Sequence, residues 1–159
     1  AMSSAKSAPK TLTPELGEPL VQATANVCET SFFAFTDAAT PEVLAQIPVE
    51  EQWFYSAVRF AGPMCGRVTE IAPAPLAREL FGAFLGCDEN DTYNNAELHD
   101  MVGEFGNMVC GTWLTSLGAE HCFDLAHPEV TLAGIPAPDE QGIVLAVNDR
   151  PVLVRAEIG

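Results

Sequence analysis

The chain has 159 residues, 48% of them hydrophobic and 18% charged, which describes one globular domain, or two very small fused halves, able to bury a core without staples. Its 22 acids against 7 bases give a formal net charge of −15. The basic residues Lys6, Lys10, Arg59, Arg67, Arg78, Arg150 and Arg155 form no cluster along the sequence, so the balance excludes nucleic acid as a main partner and sets the surface against an anionic membrane. No run of about 18 apolar residues is present to span a bilayer.

Residues 1–13 are small, polar and Pro-containing and read as a disordered tail, with Ala1 before Met2 as a cloning scar. Thr13-Pro14, followed by Glu15 and Glu18, is a helix start: a hydroxyl cap, proline in the first turn, and acids at the positive end of the dipole. Leu20, Val21, Ala23, Thr24, Val27, Cys28, Ser31 and Phe32 recur at helical spacing, so this helix is expected to reach about Phe33. The stretch 36–52 carries Pro41 and Pro48 and leaves room for one short helical turn. From Trp53 the period changes to two, with Phe54, Ser56, Val58 and Phe60 on one side; Gly62-Pro63 breaks the run and 64–72 returns as the second strand of a hairpin. A helix over Leu76–Leu85 stops at Gly86, an acidic loop over 87–95 follows, and the strongest helical stretch runs from Ala96 to Leu117 before Gly118. Strands are then expected over His121–Ala126, Val130–Gly134, Ile143–Val147 and Val152–Ile158, the last two joined by an Asn148-Asp149-Arg150-Pro151 turn. Without β-α-β alternation, this order predicts a single α+β domain over 14–159 whose helices cover a mainly antiparallel sheet. An apolar edge at Val152-Leu153-Val154 would favour a homodimer through the C-terminal strands.

On a wheel of about 100° per residue, Asp100, Glu104, Asn107 and Gly111 share one stripe of the 96–117 helix. Leu98, Val102, Phe105, Val109 and Trp113 take the opposite side, with Met101 and Met108 at the margins. Gly103 and Gly106 flank the stripe, at a cost on the order of 1 kcal/mol each relative to alanine. Either the helix packs closely there, or it is kept bare so that another surface can approach Asn107. A carboxylate and a carboxamide one turn apart, about 4.5 Å along the axis, suit a docked partner: the first pairs with a cation, the second holds a water in line with an electrophile. By itself, such a spacing is ordinarily a solvated helix face.

The wider pattern changes that weighing. The segment Asp100-Met101-Val102-Gly103-Glu104-Phe105-Gly106-Asn107 resembles the signature of the CheC/CheX family of chemotaxis phosphatases: Asp or Ser, three residues, Glu, two residues, Asn, then a proline some twenty-odd residues on. Pro128 stands in that last place, after a gap of 20 residues. The glycine-broken hairpin, the 76–86 helix and the later strands fall in the family's order, and the likeness is to the single-site CheX branch. It implies a phosphatase for a phosphorylated CheY-type response regulator, with Glu104 pairing with a regulator lysine and Asn107 orienting the attacking water. It further implies partner contacts at Asp100, Gly103 and Pro128, no cofactor of its own, and magnesium supplied by the regulator. Ala23 stands where a second site would need glutamate, so one site per chain is expected. The other reading of the same fold is a non-catalytic docking module for a regulator or signalling complex.

Other residues read more plainly. Cys28, Cys65, Cys87, Cys110 and Cys122 form no C-x-x-C pair, and their odd count and irregular spacing suggest small buried side chains of a cytoplasmic protein. The start of the chain has no basic-then-apolar leader pattern. His99, His121 and His127 with Cys110 and Cys122 match no structural zinc spacing, and Asp88, Glu89, Asn90 and Asp91 lack the ligand pattern of an EF-hand loop, so no metal site is expected.

Overall fold

The computed structural model describes residues 13–40, 42, 50–84, 95–118, 122–137 and 142–159. The expected tail, Pro41 and Pro48, Gly86, the acidic loop, Cys87 and His121 lie outside them. The first helix, α1, spans Pro14–Phe32. Pro14 and Glu15 open it as the sequence implies, but the Thr13 hydroxyl makes no capping bond. Its backbone carbonyl instead accepts from the N–H groups of Leu16 and Gly17 at 3.0 and 2.8 Å. Phe33 ends the helix in a left-handed conformation, φ 56°, and the N–H of Ala34 turns back to the Cys28 carbonyl at 3.0 Å.

Part of the stretch read as irregular is a strand: β1, Thr36–Ala38. Three residues are too few to show a period, and the strand is specified by its pairing partner rather than by its own pattern. The hairpin is β2, Trp53–Ala61, and β3, Gly66–Pro73, and β3 leads directly into α2, Ala74–Phe84. The long helix α3 spans Asn95–Leu117. It is followed by β4, Asp124–Leu125, β5, Glu129–Ala133, β6, Ile143–Val147, and β7, Arg150–Ile158. The β6–β7 turn uses Asn148 and Asp149 at φ 48° and 65°, the left-handed pair that a tight two-residue hairpin requires and that these short polar residues tolerate.

All pairings are antiparallel, in the order β1-β6-β7-β3-β2-β4, with β5 also pairing with β2. The expected α+β architecture is present, with the helices packed on one face of the sheet. Phe54, Val58 and Phe60 of β2, Val68 and Ala72 of β3, and Val152, Val154 and Ala156 of β7 meet the apolar faces of α1, α2 and α3. Phe32, Phe81 and Phe105, one from each helix, pack ring against ring with centroids 4.9 to 5.9 Å apart. The opposite face carries a smaller cluster of Trp53, Ile71, Val144 and Leu153.

Two expectations change here. Val152-Leu153-Val154 is no exposed edge: β7 lies between β6 and β3, and all three residues are buried, which removes the reason for expecting a homodimer there. The order of strands in a sheet is fixed by long-range pairing, which a local apolar run does not reveal. Of the cysteines, Cys28 and Cys110 are buried, whereas Cys65, in the β2–β3 turn, and Cys122 are exposed.

Candidate functional site

The α3 wheel divides the helix as its sequence requires. Leu98, Val102, Phe105, Val109 and Trp113 are buried, and Met101 and Met108 pack at the margin of the core. The indole N–H of Trp113 donates to the Leu16 carbonyl at 3.0 Å, fastening the end of α3 to the start of α1. On the other side, Asp100 and Glu104 are exposed and Asn107 and Gly111 are half-buried. The four therefore form one outward stripe. The carbonyl oxygen of Asn107 is shielded and has no hydrogen-bond partner among the described residues, so that oxygen is not committed to holding the fold together.

The glycines beside the stripe serve close packing. A Cβ on Gly103 would lie 3.3 Å from both Pro128 Cγ and Val130 Cγ2, so this residue lets the segment between β4 and β5 close onto the helix. Gly103 and Pro128, far apart in sequence, are thus brought together at the foot of the stripe. At Gly106 a Cβ would overlap the Ser56 hydroxyl oxygen and stand 3.0 Å from the Ser56 Cβ, so α3 can sit this low on β2 only without a side chain there. Beside Gly111, by contrast, no atom lies within 4 Å of the Cβ position. The bare end of the stripe is this one, a turn beyond Asn107.

Beneath α3 lies a second polar group that the sequence reading did not single out as functional. Glu70 of β3 is 2% exposed, directly opposite Ser56 of β2 in the sheet register. Its Oε1 accepts from the Thr24 hydroxyl of α1 at 2.9 Å, while its Oε2 and the Ser56 hydroxyl are buried without partners among the described residues. Burial pushes the Glu70 carboxyl up to about 8, against a smaller downward pull from the Thr24 hydrogen bond. Burial likewise raises the thiols of Cys28 and Cys110, the latter to about 12, and the nearby Glu70 charge adds to both. The signal in the sequence was the period of two: position 70 falls between Val68 and Ala72, on the row that faces the helices.

The remaining candidates stay apart. His99 stacks edge-on against Phe54, with centroids 5.4 Å apart. Among the described residues no three His, Cys, Asp or Glu side chains gather in a way that could hold a metal ion, and no helix is long and apolar enough to cross a membrane.

A family model described as chemotaxis phosphatase CheX matches residues 54–136, just over half of the chain, from the start of β2 past Pro128. The chain belongs to the CheX family. Among solved structures, the CheX protein of Vibrio vulnificus shares 21% identity over 91% of this chain and 99% of its own, with a TM-score of 0.65. CheX of Desulfovibrio desulfuricans matches at 20% over the same shares, also at 0.65. The CheX-CheY-BeF3-Mg2+ complex of Borrelia burgdorferi matches at 16% identity over 89% of this chain and 96% of its counterpart, with a TM-score of 0.63. At these identities the structures speak for the fold, and they extend the CheX likeness to α1 and the C-terminal strands, which the family model does not cover. No curated protein sequence registers a match.

Proposed function

We propose that this CheX-family chain is a cytoplasmic phosphatase that hydrolyses the aspartyl phosphate of a CheY-type response regulator. The observation that carries this reading is the outward stripe of α3: an exposed Glu104 one turn before Asn107, whose side-chain carbonyl oxygen has no hydrogen-bond partner among the described residues. The family description and the CheX-CheY complex among the structural neighbours support the partner class.

In this reading Glu104 pairs with a lysine beside the regulator's phospho-aspartate. That fixes α3 against the regulator and brings Asn107 over the phosphorus. The amide of Asn107 holds a water in line with the scissile bond. The water oxygen forms the new P–O bond, the bond from phosphorus to the aspartate oxygen breaks, and its electron pair returns to the carboxylate. Inorganic phosphate leaves, and the water proton is released with it. The magnesium ion is held by the regulator, so this chain supplies position rather than a nucleophile or a metal, and positioning can supply much of such an acceleration. Asp100 and the Pro128 segment flank the docked partner, and Gly103 contributes by letting Pro128 close onto the helix.

The test is phosphate release from a phosphorylated CheY-type regulator. Wild type accelerates it, and Asn107→Ala loses on the order of 100- to 1000-fold of that acceleration while remaining folded. Binding without acceleration by the wild type would identify a docking module instead.

A further inference from the structure

Among the described residues, Glu70 is the one buried carboxyl, and no cation faces it. Neither α1 nor α3 contains a lysine or arginine. Arg59 of β2, Arg67 of β3 and Arg155 of β7 occupy odd positions that alternate onto the other face of the sheet, Arg150 stands at the start of β7, and Arg78 of α2 is exposed. The groups around Glu70 are Thr24 and Cys28 from α1, Cys110 from α3, Ser56 from β2 and, across the register, Val154 from β7. All of them are uncharged in the folded protein at neutral pH.

A carboxylate in such a place would need water or a counter-ion to be tolerated. Above its strand partner the packing is close, because a Cβ on Gly106 would overlap the Ser56 hydroxyl oxygen. Admitting water there means raising α3. Gly106 immediately precedes Asn107, so the displacement passes directly to the outward stripe.

We propose that Glu70, kept as a neutral acid, is a positioning residue for α3: it stands beside Ser56, on which Gly106 rests, and its ionisation lifts the Glu104–Asn107 turn away from the geometry that presents Asn107. The effect on activity rests on the phosphatase reading above; the effect on α3 does not.

The two are separated by one set of measurements on the full chain. The backbone amide signals of Gly106 and Asn107 are followed by NMR from pH 6 to 9.5 in wild type, Glu70→Gln and Thr24→Val. In wild type both signals titrate with a midpoint near 8; in Glu70→Gln that titration disappears. Thr24→Val, which removes the one hydrogen bond holding the carboxyl down, moves the midpoint upward and keeps the test decisive if Glu70→Gln does not fold. Phosphate release is then expressed as the ratio of wild type to Glu70→Gln at each pH, so that titration of the regulator cancels. The ratio falls about tenfold by one pH unit above the midpoint, where only about a tenth of Glu70 remains neutral. Flat amide signals, or a titration that survives Glu70→Gln or ignores Thr24→Val, overturn the proposal. Titrating amides with a constant ratio overturn the positioning role, whereas titrating amides in a protein that releases no phosphate uphold the coupling to α3 and defeat the phosphatase reading.

Discussion

Each side of α3 faces a glutamate and a small uncharged partner, in opposite surroundings. Outward, Glu104 and Asn107 stand on one helix face, the first exposed and the second half-buried. Inward, Glu70 and Ser56 stand opposite each other on adjacent strands, sealed under the same helix. The outward acid is exposed, so its side chain is open to solvent. The inward acid is buried and faces no cation among the described residues, so burial favours its protonated form, and it acts through shape and hydrogen bonding. The same side chain is thus a solvent-exposed charge in one place and a packing element in the other.

The comparison breaks most visibly through pH. The folded-state value of Glu70 near 8 lies above its ordinary 4.5. Below about 4.5 both folded and unfolded chains hold the proton, and Glu70 costs the fold nothing in charge burial. As pH rises from there to about 8, the unfolded chain gives up the proton and the folded one keeps it, so stability declines through that window. The full loss is on the order of 5 kcal/mol. Urea midpoints between pH 4 and 9, taken as the difference between wild type and Glu70→Gln, measure it. A difference independent of pH would mean that the inward acid is ionised after all.

Gly106→Ala sharpens the inward side. Its new methyl meets Ser56, and overpacking of this kind costs about 1–3 kcal/mol, of which about 1 kcal/mol is returned by the better helix propensity of alanine. Ser56→Ala in the same chain removes the overlapping oxygen and leaves the 3.0 Å Cβ contact. The double mutant therefore recovers part of the loss, with a coupling energy of about 1 kcal/mol in a denaturation cycle. Gly111→Ala, with open space at its Cβ position, serves as the matched control that costs nothing in packing.

On the outward side, Glu104→Ala weakens regulator binding by about 1 kcal/mol, roughly fivefold in Kd, because the charge it removes is exposed and partly screened. Titration calorimetry at low and physiological salt reads both the loss and its attenuation. The smallest effect belongs to the other face of the sheet. Arg67 and Glu157 pair at 2.7 Å with both side chains 34% exposed, and Arg67→Ala should lower the unfolding free energy measured in urea by less than about 1 kcal/mol, less still in high salt.

Much of the site was legible because an amphipathic helix writes its environment into a period of 3.6. Leu98, Val102, Phe105, Val109 and Trp113 read as core and are core, while Asp100 and Glu104 read as outward and are exposed. The strands of the hairpin were equally plain in their alternation. What the period cannot carry is which strand lies beside which, so Val152-Leu153-Val154 looked like an edge while occupying the interior of the sheet. A three-residue strand such as Thr36–Ala38 has no period at all. Glu70 went unremarked for a different reason: an acid in a strand is ordinarily assigned to water, and only the row shared with Val68 and Ala72 argues otherwise. The two glycines were seen as costly, but whether they admitted the chain's own strands or a partner required the positions of Ser56 and Pro128.

The pairing of β3 with β7 has a consequence in time. It joins Gly66 to Ile158 and Ile71 to Leu153, partners separated by more than eighty residues of chain, whereas β2–β3 and β6–β7 are hairpins closed by short turns. Local hairpins and helices form on microsecond scales, while contacts at such separation wait on the search of a long loop. The two hairpins can take shape early, whereas β1 with β6, β2 with β5 and β3 with β7 each wait on a long-range search. Glu70 lies on the β3–β7 seam. Its carboxyl therefore loses its water in one of these late steps of folding, and the rate of that step, like the stability, should fall as the solution becomes alkaline.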